Sequence, residues 1–222
     1  MSVISRGNKG EEKVINVLKK IKEKHQLFNN ITFISDNELS HQIDHLLVHP
    51  HGVFVIETKN YFGEIISDTG EGYWLKIIKG QKEIIRNPLS QNKSHVKIVK
   101  KILKDVDVIS VVVFAKNNAP YMANENVINL KDLLLFIDSY PYKKELNNEK
   151  ISEICHLIRE NRAKISKKEH LENISYLMQI KKENKAEIEF AIESRVCPRC
   201  GAKVIENNNQ FSCSKCNFKF KL

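Results

Sequence analysis

The runs Gln42-Ile43-Asp44-His45-Leu46-Leu47-Val48 and Gly52-Val53-Phe54-Val55-Ile56-Glu57-Thr58-Lys59 decide how this chain is read. Both are rich in β-branched and other apolar residues, and the short connection between them holds Pro50 and leads into Gly52, so they read as a β-hairpin. If Val48 faces Val53, the same register sets Asp44 directly opposite Glu57. Alternation puts Asp44, Leu46, Val53, Val55, Glu57 and Lys59 on one face, with Ile43, His45 and Leu47 on the other. Opposed Cβ atoms stand about 4.5–5.5 Å apart. Two carboxylates that close repel unless one is protonated or a cation lies between them. An acid pair with an ammonium alongside therefore predicts a divalent-cation site, and with it metal-dependent cleavage of nucleic acid. The neighbouring His41, His45, His49 and His51 read as solvated or turn residues.

A third acid comes from the N-terminal segment. Gly7-Asn8-Lys9-Gly10-Glu11-Glu12 precedes a helical stripe of Val14, Val17, Leu18 and Ile21. Glu11 extends that stripe by three residues and so faces the buried side. Glu12 lies about 100° further round and faces water. The competing reading of Glu11 is a first-turn acid favoured by the helix dipole.

The 222 residues suffice for one sizeable domain and a small appendage, and 41% hydrophobic content supports a core. A net charge of +9 points to a polyanionic partner. The charge is uneven: 19 Lys+Arg against 16 Asp+Glu over 1–138, but 17 against 11 over 139–222, so the grip on a polyanion is expected to concentrate in the tail. No apolar run approaches the roughly 20 residues that span a bilayer. The segment Met1–Gly7 lacks a signal-peptide core, so a cytoplasmic protein without membrane contact is expected.

After Lys59, the runs at 63–66, 73–78 and 83–86 read as a short antiparallel meander. Asn87-Pro88 then opens a helix to about Leu103, with Asn as N-cap and Pro in the first turn. Lys93, Lys97, Lys100 and Lys101 on that helix are candidates to track a phosphate backbone. Val108–Phe114 reads as a buried central strand. A short strand at 126–129 leads into a helix over 130–137. This order predicts an α/β core with a mixed sheet over 1–138. Two Lys/Glu-rich helices follow, over 149–165 and 167–193, the second opened by a Ser166/Glu169 capping box, and 139–193 reads as a helical linker region.

Residues 194–222 read as a separate module. Cys197-Pro198-Arg199-Cys200 and Cys213-Ser214-Lys215-Cys216 form two knuckles with twelve residues between them, a spacing that suits four thiolates around structural Zn²⁺. So small a unit has little core and depends on its metal. Lys215 and Lys219 are candidate phosphate contacts. The interleaved Phe211, Phe218 and Phe220 either stack on bases or form the module's core.

Taken in order, Gly7-x-x-Gly10-Glu11, then 42–48, then Val55-Ile56-Glu57-Thr58-Lys59, then Asn87-Pro88-x-x-Gln91, the chain resembles the NERD (nuclease-related) domain family of the restriction-endonuclease-like PD-(D/E)xK superfamily, over about residues 5–125. The Cys197–Cys216 segment resembles a topoisomerase-type four-cysteine zinc ribbon. The resemblance implies a mixed sheet flanked by helices. It implies that Asp44 and Glu57 bind Mg²⁺ or Mn²⁺ with Glu11 completing the acidic cluster, and that Lys59 and Gln91 match the family's lysine and glutamine. The expected function is a metal-dependent nuclease acting on nucleic acid, with DNA the expected polymer and the ribbon aiding its binding. The alternative is a non-catalytic DNA-binding or scaffold protein that keeps the nuclease fold.

Overall fold

The computed structural model describes residues 3–36, 39–67, 73–120, 126–142, 145–165, 167–207 and 210–221. Two compact units divide the chain, Met1–Ile165 and Ser166–Leu222.

The first unit is built on a mixed five-stranded sheet. Its strands are β1 (Gln26–Ile34), β2 (Ser40–His49), β3 (Gly52–Lys59), β7 (Val108–Phe114) and β8 (Val127–Asn129), in that spatial order. The first three pair antiparallel, whereas β3–β7 and β7–β8 are parallel. Both faces are covered, which is why β3 and β7 read as nearly unbroken apolar runs. On one face α1 (Val3–Leu18) and α3 (Leu133–Ser139) bury Val14, Leu18, Leu133 and Ile137 against Leu47, Phe54, Ile56 and Val111. On the other, α2 (Pro88–Ile102) and α4 (Asn148–Asn161) bury Val99, Leu103, Ile151, Ile154 and Ile158 against Ile43, Leu46, Val53 and Val55. Each such side chain withdrawn from water contributes about 1.5–3 kcal/mol.

The meander is a separate antiparallel sheet of β4 (Glu64–Ile66), β5 (Tyr73–Ile78) and β6 (Gln81–Arg86). Its Ile65, Trp74 and Ile85 pack on Val112 and Phe114 of β7, with the Trp74 ring stacked over Phe114 at 6.3 Å. The helix opened by Asn87-Pro88 forms as expected: the Leu89 amide donates to Asn87 Oδ1 at 2.9 Å. One residue of α2 locks it to the sheet. The fully buried Asn92 places its Nδ2 at 2.8 Å from the Val55 carbonyl, 2.9 Å from Ser110 Oγ and 3.2 Å from the Val111 carbonyl, bridging β3 and β7.

The segment expected as one helical linker over 139–193 separates into two parts. The amphipathic α4 has a stripe of Ile151, Ile154, Cys155 and Ile158 that belongs to the core of the first unit. In the second unit, α5 (Lys167–Ser194) is largely polar, with i,i+4 ion pairs Lys168–Glu172 and Lys185–Glu189. The capping box at Ser166 lies outside the described residues. After α5 comes a small antiparallel sheet of β9 (Val204–Asn207), β10 (Gln210–Cys213) and β11 (Lys219–Lys221). Its core is Ala191, Cys197, Val204, Phe211 and Phe218.

Candidate functional site

The hairpin register is the expected one, with Val48 opposite Val53 and His45 opposite Ile56. The ladder stops there, so Asp44 and Glu57 are not ladder partners as the sequence reading had them. A continuing ladder would give the Thr58 amide to the Ile43 carbonyl. Instead that amide donates to Asp44 Oδ2 at 2.8 Å. The side chain thus takes a position that a backbone oxygen would otherwise fill. Alternation breaks at the same point. Ile43 packs with Leu46 on the α2/α4 face, not with Leu47 as expected. On the adjoining edge, Asn30 has φ +51°, and the β1–β2 pairing skips from Asn29–His45 to Ile31–Ile43. The register is the same on both sides of this gap, so the Asn30–Asp44 position leaves the ladder without adding a residue to either strand.

At the end of β3, Glu57 is buried and Lys59 nearly so, with side chains 4% and 13% exposed. Lys59 Nζ donates to Glu57 Oε1 at 2.6 Å and to Gln91 Oε1 at 3.1 Å. Gln91 stands on α2, one turn ahead of the buried His95, whose Nδ1 lies 3.7 Å from Glu57 Oε2. That Glu57 oxygen is buried and makes no hydrogen bond. Burial and the neighbouring Glu57 carboxylate push Asp44 up to about 8, with Glu11 adding to the rise, against the Thr58 amide and Lys59, which pull it down. Burial alone would lower Lys59, but Glu57, Tyr61 and Asp44 together outweigh it and hold the ammonium above its usual range.

Glu11 reaches this strand end from the opposite layer. It is half-buried while Glu12 is exposed, as the stripe predicts. The first-turn reading falls, because α1 already begins at Val3 and Glu11 sits in its middle. Gly10 brings the helix in. A Cβ there would meet Asn60 Cβ at 2.7 Å and Thr58 Cγ2 at 3.3 Å, so only glycine lets the helix backbone lie against the end of β3. Among the described residues Glu11, Asp44 and Glu57 do not bring one oxygen each within 4.8 Å of one another, although both glutamates act electrostatically on Asp44.

The histidines differ from expectation. His45 and His49 are fully buried, because β2 is covered on both faces and leaves no wet side. His45 donates from Nδ1 to Asn29 Oδ1 at 2.8 Å and accepts the Thr58 hydroxyl at Nε2 at 3.1 Å, and burial pushes it down to about 4. This neutral ring ties β1, β2 and β3 together beside Asp44. Asn92 is not singled out by the sequence, and His45 reads there as a solvated or turn residue; a polar residue within an apolar strand or on a buried helix stripe is the signal each carries.

Of the basic candidates on α2, Lys93 and Lys97 are exposed, and Lys101 pairs with Asp36. In the second unit the four cysteine sulfurs lie within 4.8 Å of one another, with Cys197–Cys216 at 3.6 Å and Cys200–Cys213 at 3.4 Å. Tetrahedral Zn–S bonds of about 2.3 Å require sulfurs about 3.8 Å apart, so the quartet could hold zinc with slight expansion. The Lys215 and Cys216 amides point at Cys213 Sγ and hold that thiol down at about 6. Phe211 and Phe218 are core, and Phe220 stacks on Phe211 at 4.7 Å, so the first two are not available to bases. Arg195 and Arg199 are taken up by Glu206 and Glu187, and among the described side chains of the module Lys203, Lys215 and Lys219 are exposed cations.

An α/β sheet wrapped by helices, with Asp, Glu and Lys at the end of a central strand, is a nuclease-like architecture. Comparison with known proteins agrees. Residues 6–115 match the family described as nuclease-related domain, NERD. An uncharacterised protein of Bacillus anthracis is 30% identical over 160 residues, covering 69% of this chain and 75% of the relative. The chain belongs to the nuclease-related domain family. No solved structure matches it significantly. Among the described residues no helix is long and apolar enough to cross a membrane.

Proposed function

We propose that this protein is a Mg²⁺- or Mn²⁺-dependent nuclease that hydrolyses phosphodiester bonds, with DNA as the expected substrate. The observation that carries the reading is Glu57 Oε2, a buried carboxylate oxygen without a hydrogen bond, beside an Asp44 whose proton is retained to about 8. A divalent cation there would satisfy the orphaned oxygen and displace the proton. Hard oxygen donors suit Mg²⁺ or Mn²⁺, and two protein carboxylates are enough for an ion that keeps several waters. Asp44 and Glu57 would hold the ion, which when bound supplies Lewis acidity toward water and the phosphate.

The chain's own groups do the rest. Lys59 presents its ammonium at the strand end, where it stabilises charge developing on phosphate oxygens. Gln91 keeps Lys59 from swinging away. Glu11 accepts a proton through water. The Thr58 amide orients Asp44. Lys93 and Lys97 on α2, and Lys215 and Lys219 on the cysteine module, meet phosphates without reading sequence. The module, closed by Zn²⁺ on Cys197, Cys200, Cys213 and Cys216, serves as a DNA-binding accessory.

The test incubates the full chain with labelled single- and double-stranded DNA and RNA, with and without Mn²⁺, alongside Asp44→Asn. Asparagine still accepts the Thr58 amide, so the fold is preserved. Lys59→Ala is less clean, because an unpaired buried Glu57 costs about 3–5 kcal/mol. Metal-dependent cleavage by wild type and none by Asp44→Asn is expected. Cleavage by the variant at the wild-type rate refutes the assignment. Tight DNA binding without turnover under any metal would establish a binder instead.

A further inference from the structure

The first unit holds a second cluster of ligating groups, at the other end of the hairpin from the acid pair. Glu23, His49 and Asp138 place one ligand atom each within 4.8 Å of the others. They come from three separate places: the connection after α1, the last residue of β2, and the final turn of α3. His49 is fully buried, and its Nε2 has no hydrogen-bond partner. Both carboxylates are exposed, so the cluster joins a buried imidazole to two acids that reach water. His25 and His51 flank the group. His25 Nδ1 lies 2.8 Å from the Glu23 carbonyl, and His51 Nδ1 lies 3.0 Å from the Ile137 carbonyl. These bonds fix the two backbone segments that carry Glu23 and Asp138. From His49 to the acid pair the hairpin runs five residues of β3 past its turn, roughly 17 Å at about 3.3 Å per residue. The two sites are therefore distinct.

We propose that Glu23, His49 and Asp138 form a second divalent-metal site, for a borderline ion of the Zn²⁺ type, with at least one coordination position open to water. The donor set carries the choice of ion. One imidazole nitrogen with two carboxylate oxygens suits Zn²⁺ better than Mg²⁺, which prefers oxygen alone. Bonds of about 2.0–2.2 Å require ligand atoms roughly 3–4.3 Å apart, a small contraction at most from the present spacing. The orphaned Nε2 becomes the ligand. The ring's proton then resides on Nδ1, at the loss of a long 3.3 Å contact from the His51 amide, a weak bond near the geometric limit. A cation at this point also faces the C-terminal end of α3, where the helix carbonyls favour positive charge. The ion would join the connection after α1, the β2–β3 turn and α3, three segments distant in sequence, and so stabilise the far end of the sheet.

The test is calorimetric titration of Zn²⁺ into the full chain already holding one equivalent of zinc in its cysteine module. Asp44→Asn serves as background, so that the acid pair does not contribute. A further equivalent should bind, and the exposed double substitution Glu23→Gln/Asp138→Asn should weaken it at least about tenfold. His49→Gln, checked for folding by circular dichroism, should do the same. In the wild-type background the double variant should keep Mg²⁺-dependent cleavage unchanged, which separates this site from the proposed catalytic one. Failure of any further equivalent to bind, or equal binding by the double variant, overturns the proposal.

Discussion

Lowering the pH from 8 to 6 should weaken Mg²⁺ binding at the acid pair by a factor set by Asp44. In the ion-free protein burial and the Glu57 carboxylate hold the Asp44 proton to about 8. Below that value the fraction of protein with Asp44 ionised falls tenfold per pH unit, and an ion that needs the carboxylate loses affinity in the same proportion. The half-saturating Mg²⁺ concentration should therefore rise on the order of fifty- to a hundredfold between pH 8 and pH 6. Stability follows the same linkage with the opposite sense. Because the folded-state value is raised above that of an ordinary aspartate, the Asp44 contribution is fully present below about 4 and lost as pH rises through about 8. Without Mg²⁺ the first unit should melt lower at pH 8 than at pH 6, and added Mg²⁺ should restore more of the loss at pH 8. Mg²⁺ calorimetry and thermal melts on the zinc-loaded chain measure both. Asp44→Asn should flatten both pH dependences between 6 and 8 while keeping the Thr58 bond. A wild-type affinity independent of pH over that range, or the same slope in Asp44→Asn, would refute the reasoning.

Three further outcomes follow from particular contacts. Gly10→Ala should push α1 off the end of β3, costing about 1–3 kcal/mol of stability and lowering cleavage, because the new Cβ lies 2.7 Å from Asn60 Cβ; a denaturant melt equal to wild type would contradict this. Asn92→Leu should lower stability by about 1–3 kcal/mol, since it strands the Val55 and Val111 carbonyls at a fully buried position, and equilibrium unfolding monitors it. Cys213→Ser should unfold the cysteine module and weaken DNA binding while leaving the Mg²⁺ affinity of the first unit unchanged, which fluorescence anisotropy and calorimetry separate.

The hairpin register, the buried β7, the Asn87-capped helix and the cysteine quartet were all legible in the sequence, because each is written in local residue types: alternation, an apolar run, a cap, a spacing. The strand β1 was missed, since Asn29 and Asn30 interrupt its apolar pattern where Asn30 takes a positive φ. The start of α1 was placed too late, because Gly7 and Gly10 read as turn residues, and only the presence of β3 behind Gly10 explains a glycine inside a helix. The direct pairing of Asp44 with Glu57 extrapolated a regular ladder one step too far. Strand periodicity carries no mark of the point where a side chain takes over a backbone bond. The buried state of His45 and His49 depends on helices packed from distant sequence, and spacing along β2 alone cannot reveal it. The same holds for α4, whose apolar stripe is visible but whose docking partner is not.

The uninterrupted course of α1 has a practical consequence. Val3 and Glu11 are joined by about two turns of continuous helix, roughly 12 Å at about 1.5 Å per residue. Any folded cargo grafted ahead of Val3 is thereby geared to the Glu11 carboxylate, and torque on it would be felt at the Gly10 contact. An affinity handle on this protein belongs behind a pliable spacer, since a helical one would turn the amino end into a crank.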